Sequence, residues 1–132
     1  RVVRDCATST PSNHRFWAVA DAASDRCLGM VNYHNANPRN HTADIGYLIH
    51  PAYHRQGIAT ESVAALLDFC FGTRNLRRIR AFIAPDNTAS RTLAEKLGFR
   101  CQAPRRENLL VDNHWRDDML YARLKTDPAN PP

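Results

Sequence analysis

No apolar run in this sequence approaches the roughly 18 residues that a membrane span requires, and no charged-then-apolar leader opens it. It therefore reads as a soluble, unexported, cytoplasmic protein with no membrane partner. The four cysteines (Cys6, Cys27, Cys70 and Cys101) form no C-x-x-C pair and have no clustered histidines beside them. That scatter argues against a metal site and against a disulfide framework, and it suits a reducing compartment. Internal repeats are absent, as is any shift of composition that would mark a second domain. A chain of 132 residues is long enough to bury one core without staples. The reading is one domain over residues 1–125 and a polar, Pro-rich, disordered tail over 126–132. The first residue is Arg1 rather than Met, so the chain reads as trimmed.

What is present is positive charge, +5 in formal terms. Such a charge suits a polyanionic ligand, a phosphorylated cofactor or a nucleic acid, and it equally suits a merely solvated arginine-rich surface. The stretch that organises the rest is Tyr53-His54-Arg55-Gln56-Gly57-Ile58-Ala59-Thr60-Glu61. It follows a strand pattern at residues 42–50 and leads into a helix pattern at 62–71. The first amides of a helix lack partners within it, and the helix dipole adds partial positive charge at that end. A strand turning through a short basic loop into a helix is thus an anion cradle. Gly57 lets a phosphate approach the backbone, and Ala59 and Thr60 keep the next positions small.

Taken in order, residues 1–6 are too short to classify, and 7–14 read as a helix end followed by a loop. Strands are expected at 15–20 and 27–34, joined by a turn at 22–26 and followed by a loop at 35–40. In the third strand, 42–50, alternation puts Asp44 and His50 on one face, and Pro51 stops it. Along the next helix Val63, Leu66, Leu67, Cys70 and Phe71 form one buried stripe, with Gly72 as its stop. A fourth strand is expected at 76–84, with Ile79, Ala81 and Ile83 on one face. Strand, helix, strand in this order implies a right-handed parallel crossover. Asp86 or Asn87 can cap a second helix carrying Ala89, Leu93 and Leu97, which Gly98 ends with Phe99 behind it. Pro104 interrupts the pattern that follows, and strands at 108–111 and 115–124 flank an Asp112-Asn113 turn.

Several of these separated pieces agree with one family. Ala43-Asp44-Ile45-Gly46-Tyr47, then Pro51, the loop from Tyr53 to Glu61, Asn87-x-x-Ser90, Glu95-Lys96-Leu97-Gly98-Phe99 and Trp115-Arg116-Asp117 occur in a characteristic order. From Phe16 to Leu124 the chain resembles the GNAT superfamily of acetyl-CoA-dependent N-acetyltransferases, and within it the ribosomal-protein N-terminal acetyltransferase (RimJ/RimL-like) branch. The resemblance implies an α+β fold around a twisted, mostly antiparallel mixed sheet with helices on both faces. Two central parallel strands, 42–50 and 76–84, would splay to admit pantetheine. The N-terminal strand and helix of the family are expected to be lacking here.

The cofactor implied is acetyl-CoA, with no metal. Backbone groups of Leu48, Ile49 and His50 would pair with the pantetheine arm, and an amide near Leu48 would serve the oxyanion. Amides of Arg55, Gln56, Gly57, Ile58, Ala59 and Thr60 would hold the pyrophosphate, and Asn87 would bond the cofactor from the second helix. Asp44 stands where many relatives carry a general-base Glu; it acts either as the base or as a carboxylate that orients neighbours or relays through water. Ser90 carries over as the acid for the departing thiolate, or else only caps its helix. The Tyr acid of many relatives is replaced by Ala94. Arg55 stands where Gly is common and His54 where Arg or Gln is common. His14, His34, His41 and His114 read as surface or loop residues.

The function implied is acetyl transfer to a primary amine, a protein N-terminus or a small molecule, by a monomer or homodimer. The alternative is a non-catalytic acyl-CoA-binding module. A nucleic-acid binder, suggested by Arg74, Arg77, Arg78 and Arg80, lacks interleaved aromatics, so no nucleic-acid partner is expected.

Overall fold

The computed structural model describes residues 14–54 and 56–127, together with the backbone of 2–5. It is an α+β protein whose chain divides into two compact units, Arg1–Arg77 and Arg78–Pro132.

The first unit is built on four strands, each antiparallel to the next: β1 (Val2–Asp5), β2 (Arg15–Ala20), β3 (Cys27–Asn37) and β4 (Thr42–Ile49). The opening residues, too short to classify from sequence and expected to lack the family's first strand, are β1; the Val2–Asp5 backbone pairs along the free edge of β2. The helix end and loop expected over 7–14 lie, up to residue 13, outside the described residues. The turn between β2 and β3 is closed by Asp21, whose amide bonds the Arg26 carbonyl at 2.9 Å while its carboxylate accepts from Ser24 Oγ at 2.8 Å.

β3 runs on to Asn37, past the loop expected at residue 35. It does so through a bulge between His34 and Asn37, where Asn35 takes φ 51°. An asparagine tolerates that left-handed conformation, and a bulge re-aims the side chains around it.

Alternation gives the β2–β4 sheet two unlike faces. Trp17, Val19, Val31, Tyr33, Ile45 and Ile49 are buried on one. That face is covered by helix α1 (Ile58–Asp68) and the wide π turn Phe69–Thr73, whose Phe69 ring meets Trp17 edge-on at 5.0 Å. The expected stripe of Val63, Leu66, Leu67, Cys70 and Phe71 is buried here, joined by Ile58 and Ser62. Burial pushes the Cys70 thiol up to about 12, so it is an inert core group. Gly72 does not stop the helix. The turn widens and closes where the Arg74 amide bonds the Phe69 carbonyl at 3.0 Å, and Asn75 (φ 53°) reverses the chain.

The second unit pairs β5 (Arg78–Ile83) with β7 (His114–Leu124), and β7 with β6 (Arg100–Val111), all antiparallel. Ile79, Ala81 and Ile83 are buried as their alternation requires. Helix α2 (Thr88–Lys96) lies between β5 and β6 in the chain and buries Leu93 and Ala94; Ala89, expected on that stripe, is exposed in the first turn. Its end satisfies its own carbonyls: Gly98 (φ 91°) donates to Glu95 at 3.1 Å, Phe99 donates to Ala94 at 2.9 Å, and the Phe99 ring is buried.

Pro104 does not interrupt β6. It faces Met119 in the register, on a strand bonded to β7 on one side only within this unit, and a strand so placed tolerates proline. Asp112 (φ 50°) and Asn113 (φ 61°) make the two-residue hairpin turn expected of them. Of the tail expected to be disordered, Asp127 is described and tied back, accepting from the Leu124 amide at 3.0 Å and pairing with Arg100 at 3.7 Å. Residues 128–132 lie outside the described residues.

Candidate functional site

β4 ends at Ile49, one residue earlier than expected, so His50 does not share a strand face with Asp44. His50 instead caps a short 3-10 turn, Pro51–Tyr53, its Nδ1 accepting from the Ala52 amide at 3.1 Å. Pro51 fixes the first φ of that turn. Arg26 reaches over to donate to the Tyr53 hydroxyl at 3.3 Å. His54, which stands where the family commonly has Arg or Gln, points back: its Nε2 lies 2.7 Å from the Ile49 carbonyl, which only accepts, so Nε2–H is the donor. The turn that launches the loop is thus held at both ends.

The loop then enters α1 four residues sooner than the apolar pattern suggests. Gly57 is the N-cap, at φ 75° and ψ 5°, and a Cβ there would meet nothing within 4 Å. The first bond of the helix runs from the Glu61 amide to the Gly57 carbonyl at 3.0 Å. The helical ladder therefore provides no acceptor for the amides of Ile58, Ala59 and Thr60. Ile58 anchors this turn, its side chain 2% exposed in the core, while Gln56 and Gly57 are exposed. Arg55 lies outside the described residues. The outcome is an open, pre-formed ring of donors at the positive end of an eleven-residue helix.

The three residues expected to meet pantetheine are not equivalent. The His50 amide donates to Leu28 at 2.8 Å, so its backbone faces β3. By alternation that of Leu48 faces β3 too, while that of Ile49 faces away from β3. Close pairing is enforced at Gly29, where a Cβ would collide with the Leu48 carbonyl oxygen and sit 2.9 Å from the Ile49 Cα.

Asp44 is buried, 2% exposed, and Asn35 Nδ2 donates to its Oδ2 at 3.2 Å. Asn35 gains that reach from the bulge, which no sequence pattern announced. Opposite Asp44 in the register stands His34, half-buried in β3 and not on the surface or in a loop. In the second unit, Asn87 caps α2 by accepting from the Ser90 amide through Oδ1 at 3.2 Å, which leaves its Nδ2 to donate elsewhere. Ser90 is half-exposed at the third helical position, so its backbone does play the capping part. Ala94 is buried and offers no acid. Arg91 braces the approach to this helix, donating to the Pro85 carbonyl at 3.0 Å and to the Tyr121 hydroxyl at 3.2 Å. Among the described residues no three His, Cys, Asp or Glu side chains converge as a metal site, and no helix is long and apolar enough to cross a membrane.

The model of the family described as "Acetyltransferase (GNAT) domain" matches residues 2–100. The chain is 32% identical to a probable N-acetyltransferase, YjcK, of Bacillus subtilis over 112 residues, 84% of this chain and 62% of that one. It is 27% identical to the [ribosomal protein uS5]-alanine N-acetyltransferase of Escherichia coli, covering 85% of this chain and 58% of that one. In structure it superposes on a variant of spermidine N-acetyltransferase from Vibrio cholerae with a TM-score of 0.82 at 23% identity, covering 87% of this chain and 68% of that one. That likeness is one of fold. The chain spans no more than 62% of the length of these two curated relatives.

Proposed function

The chain belongs to the GNAT acetyltransferase family, and from that premise we propose that it moves an acetyl group from acetyl-CoA to a primary amine by direct attack. The observation that carries the proposal is the Gly57 cap, with the donor amides of Ile58, Ala59 and Thr60 behind it. Diphosphate is the ligand this arrangement suits, since it offers several anionic oxygens to several fixed N–H groups. Gln56, exposed beside Gly57, adds a side-chain amide to the same loop. The pantetheine arm runs along β4, with Ile49 the residue whose backbone faces away from β3. Acetyl-CoA brings the activated thioester; the protein's part is to hold it, accept a proton from the amine and return one to the thiolate.

Of the two roles open to Asp44, its burial and its bond from Asn35 favour the orienting, charge-compensating one. Ser90 is the donor to the thiolate. The acceptor is a peptide α-amine or a small amine: the E. coli relative bears the name of an alanine N-acetyltransferase and the V. cholerae structure that of a spermidine N-acetyltransferase. On this reading the protein works away from a membrane, as a monomer or homodimer.

The test is release of free CoA, with mass spectrometry of the acceptor, on incubating the protein with acetyl-CoA and peptides beginning in Ala or Ser, or spermidine. Acetylation of one class supports the proposal. Tight acetyl-CoA binding with no transfer to any amine would instead support a non-catalytic acyl-CoA-binding module. Asp44→Asn, which keeps the shape and removes the charge, is expected to leave acetyl-CoA affinity within about twofold and to lower kcat by about tenfold to a hundredfold. An unchanged kcat would remove Asp44 from the chemistry.

A further inference from the structure

The face of the β2–β4 sheet turned away from α1 carries a polar group among apolar neighbours. Pairing places Asn32 opposite Gly46 and His34 opposite Asp44, so these four share that face. Gly46 leaves a gap in it, filled from the side by the Asn32 amide, which a Cβ on Gly46 would approach to 3.1 Å. Farther along, Leu48 is 66% exposed on the same face. The ionisable residues of this face are His34 and Asp44, with His14, two positions before Phe16 and edge-on to its ring at 5.6 Å, at the end of β2 beside them, and Arg4 of β1 paired with Ala18.

His34 is held in one tautomer. Its Nδ1 lies 2.8 Å from Asn32 Oδ1, and an amide oxygen only accepts, so Nδ1 carries the hydrogen. Nε2 then keeps its lone pair, with no protein partner among the described residues. A half-buried imidazole fixed through one nitrogen, with the other open and a carboxylate across the strand, is the arrangement of a proton acceptor. Directly opposed residues lie about 4.5–5.5 Å apart at Cα, near enough for Asp44 to offset positive charge on the ring.

Resting on the acetyltransferase reading above, we propose that His34, not Asp44, takes the proton from the acceptor ammonium. The N–H bond of the ammonium breaks and its proton passes to His34 Nε2, giving imidazolium. The freed lone pair forms the C–N bond at the thioester carbonyl, and the tetrahedral adduct collapses with cleavage of C–S. The second proton, lost by the nitrogen, balances the one gained by the departing thiolate, and His34 returns its own to water. Asn32 is a positioning residue, and Asp44 compensates the charge.

The experiment compares wild type, His34→Gln and His34→Ala in full chains, by acetyl-CoA titration and by steady-state kinetics across pH. Acetyl-CoA affinity is expected to stay within about twofold, which also shows that the variants fold. kcat/KM should fall about a hundredfold in both, and the rise of the wild-type profile with pH should be lost. Added imidazole should restore His34→Ala in proportion to its concentration and leave His34→Gln, whose longer side chain fills the gap, unrescued. The proposal is overturned if both variants keep kcat/KM within about threefold with the wild-type pH profile, or if His34→Ala loses activity that imidazole does not restore. Failure of wild type itself to bind acetyl-CoA would instead overturn the acetyltransferase reading, and this inference with it.

Discussion

Gly57→Glu is expected to weaken acetyl-CoA binding by at least about a hundredfold, through the same position that makes the cradle. Two effects add. At φ 75° any non-glycine residue other than Asn or Asp strains the backbone, at a cost of about 1–2 kcal/mol. That cost falls on the loop, because the space around Gly57 is open and a side chain there collides with no protein atom. The larger effect is electrostatic: a carboxylate would stand over the amides of Ile58, Ala59 and Thr60, occupying and neutralising the positive end of α1. Gly57→Asn separates the two, since Asn accepts the left-handed conformation and carries no charge. It should bind acetyl-CoA within about tenfold of wild type by calorimetry. Equal affinity for wild type and Gly57→Glu would remove the loop from the cofactor site.

The second large effect is on stability, in the second unit. Asp118 is 1% exposed and accepts a bidentate pair from Arg105, at 2.7 and 2.6 Å, with Asn108 Nδ2 at 3.2 Å. Arg105 in turn lies over the Phe82 ring at 4.0 Å, joining β5 to the β6–β7 hairpin. Its hydrogen bonds hold the Asp118 carboxyl below the usual carboxylate range, against the upward push of burial. A carboxyl depressed in the folded state contributes its stability in full above the unfolded value, about pH 4, and loses it as pH falls through the folded one. Arg105→Leu leaves a buried carboxylate without its partner. It should cost about 3 kcal/mol at neutral pH, roughly 10 °C in thermal unfolding followed by circular dichroism. Arg105→Leu/Asp118→Leu, which removes both charges, should recover most of that. A single variant melting within about one degree of wild type would show that the pair contributes nothing net.

How much of this was legible in the sequence depends on the range of the interaction. β2 begins and ends where its aromatic and apolar residues do, because strand limits here follow from local composition and the Asp21 turn. The same holds for the Asp112-Asn113 turn and for the Gly98-Phe99 helix end, each set by residues within five positions of one another. The start of α1 was less legible, since its first turn is mostly small and polar and only Ile58 is anchored in the core. Its π-turn ending was not legible at all: Gly72 is the residue that propensity favours, but the buried Cys70 and Phe71 hold the chain in the wider turn.

The candidate site divides in the same way. The phosphate loop is contiguous, so its glycine and small residues could be read directly. The polar group around Asp44 is assembled across β3 and β4 by a bulge and a register that no spacing reveals. His34 and Asn32 look like ordinary strand residues until Asp44 is placed opposite. His54 misleads in the other direction, standing in a phosphate loop yet closing the turn at Ile49.

The most direct test of the central claim is calorimetric titration of acetyl-CoA into the protein, with CoA and a form lacking the 3′-phosphate as controls. Micromolar binding of acetyl-CoA, retained by CoA and lost in Gly57→Glu, is the result expected of a diphosphate held at the head of α1. No binding of any of the three would contradict it, and would leave a GNAT fold whose cradle serves some other purpose.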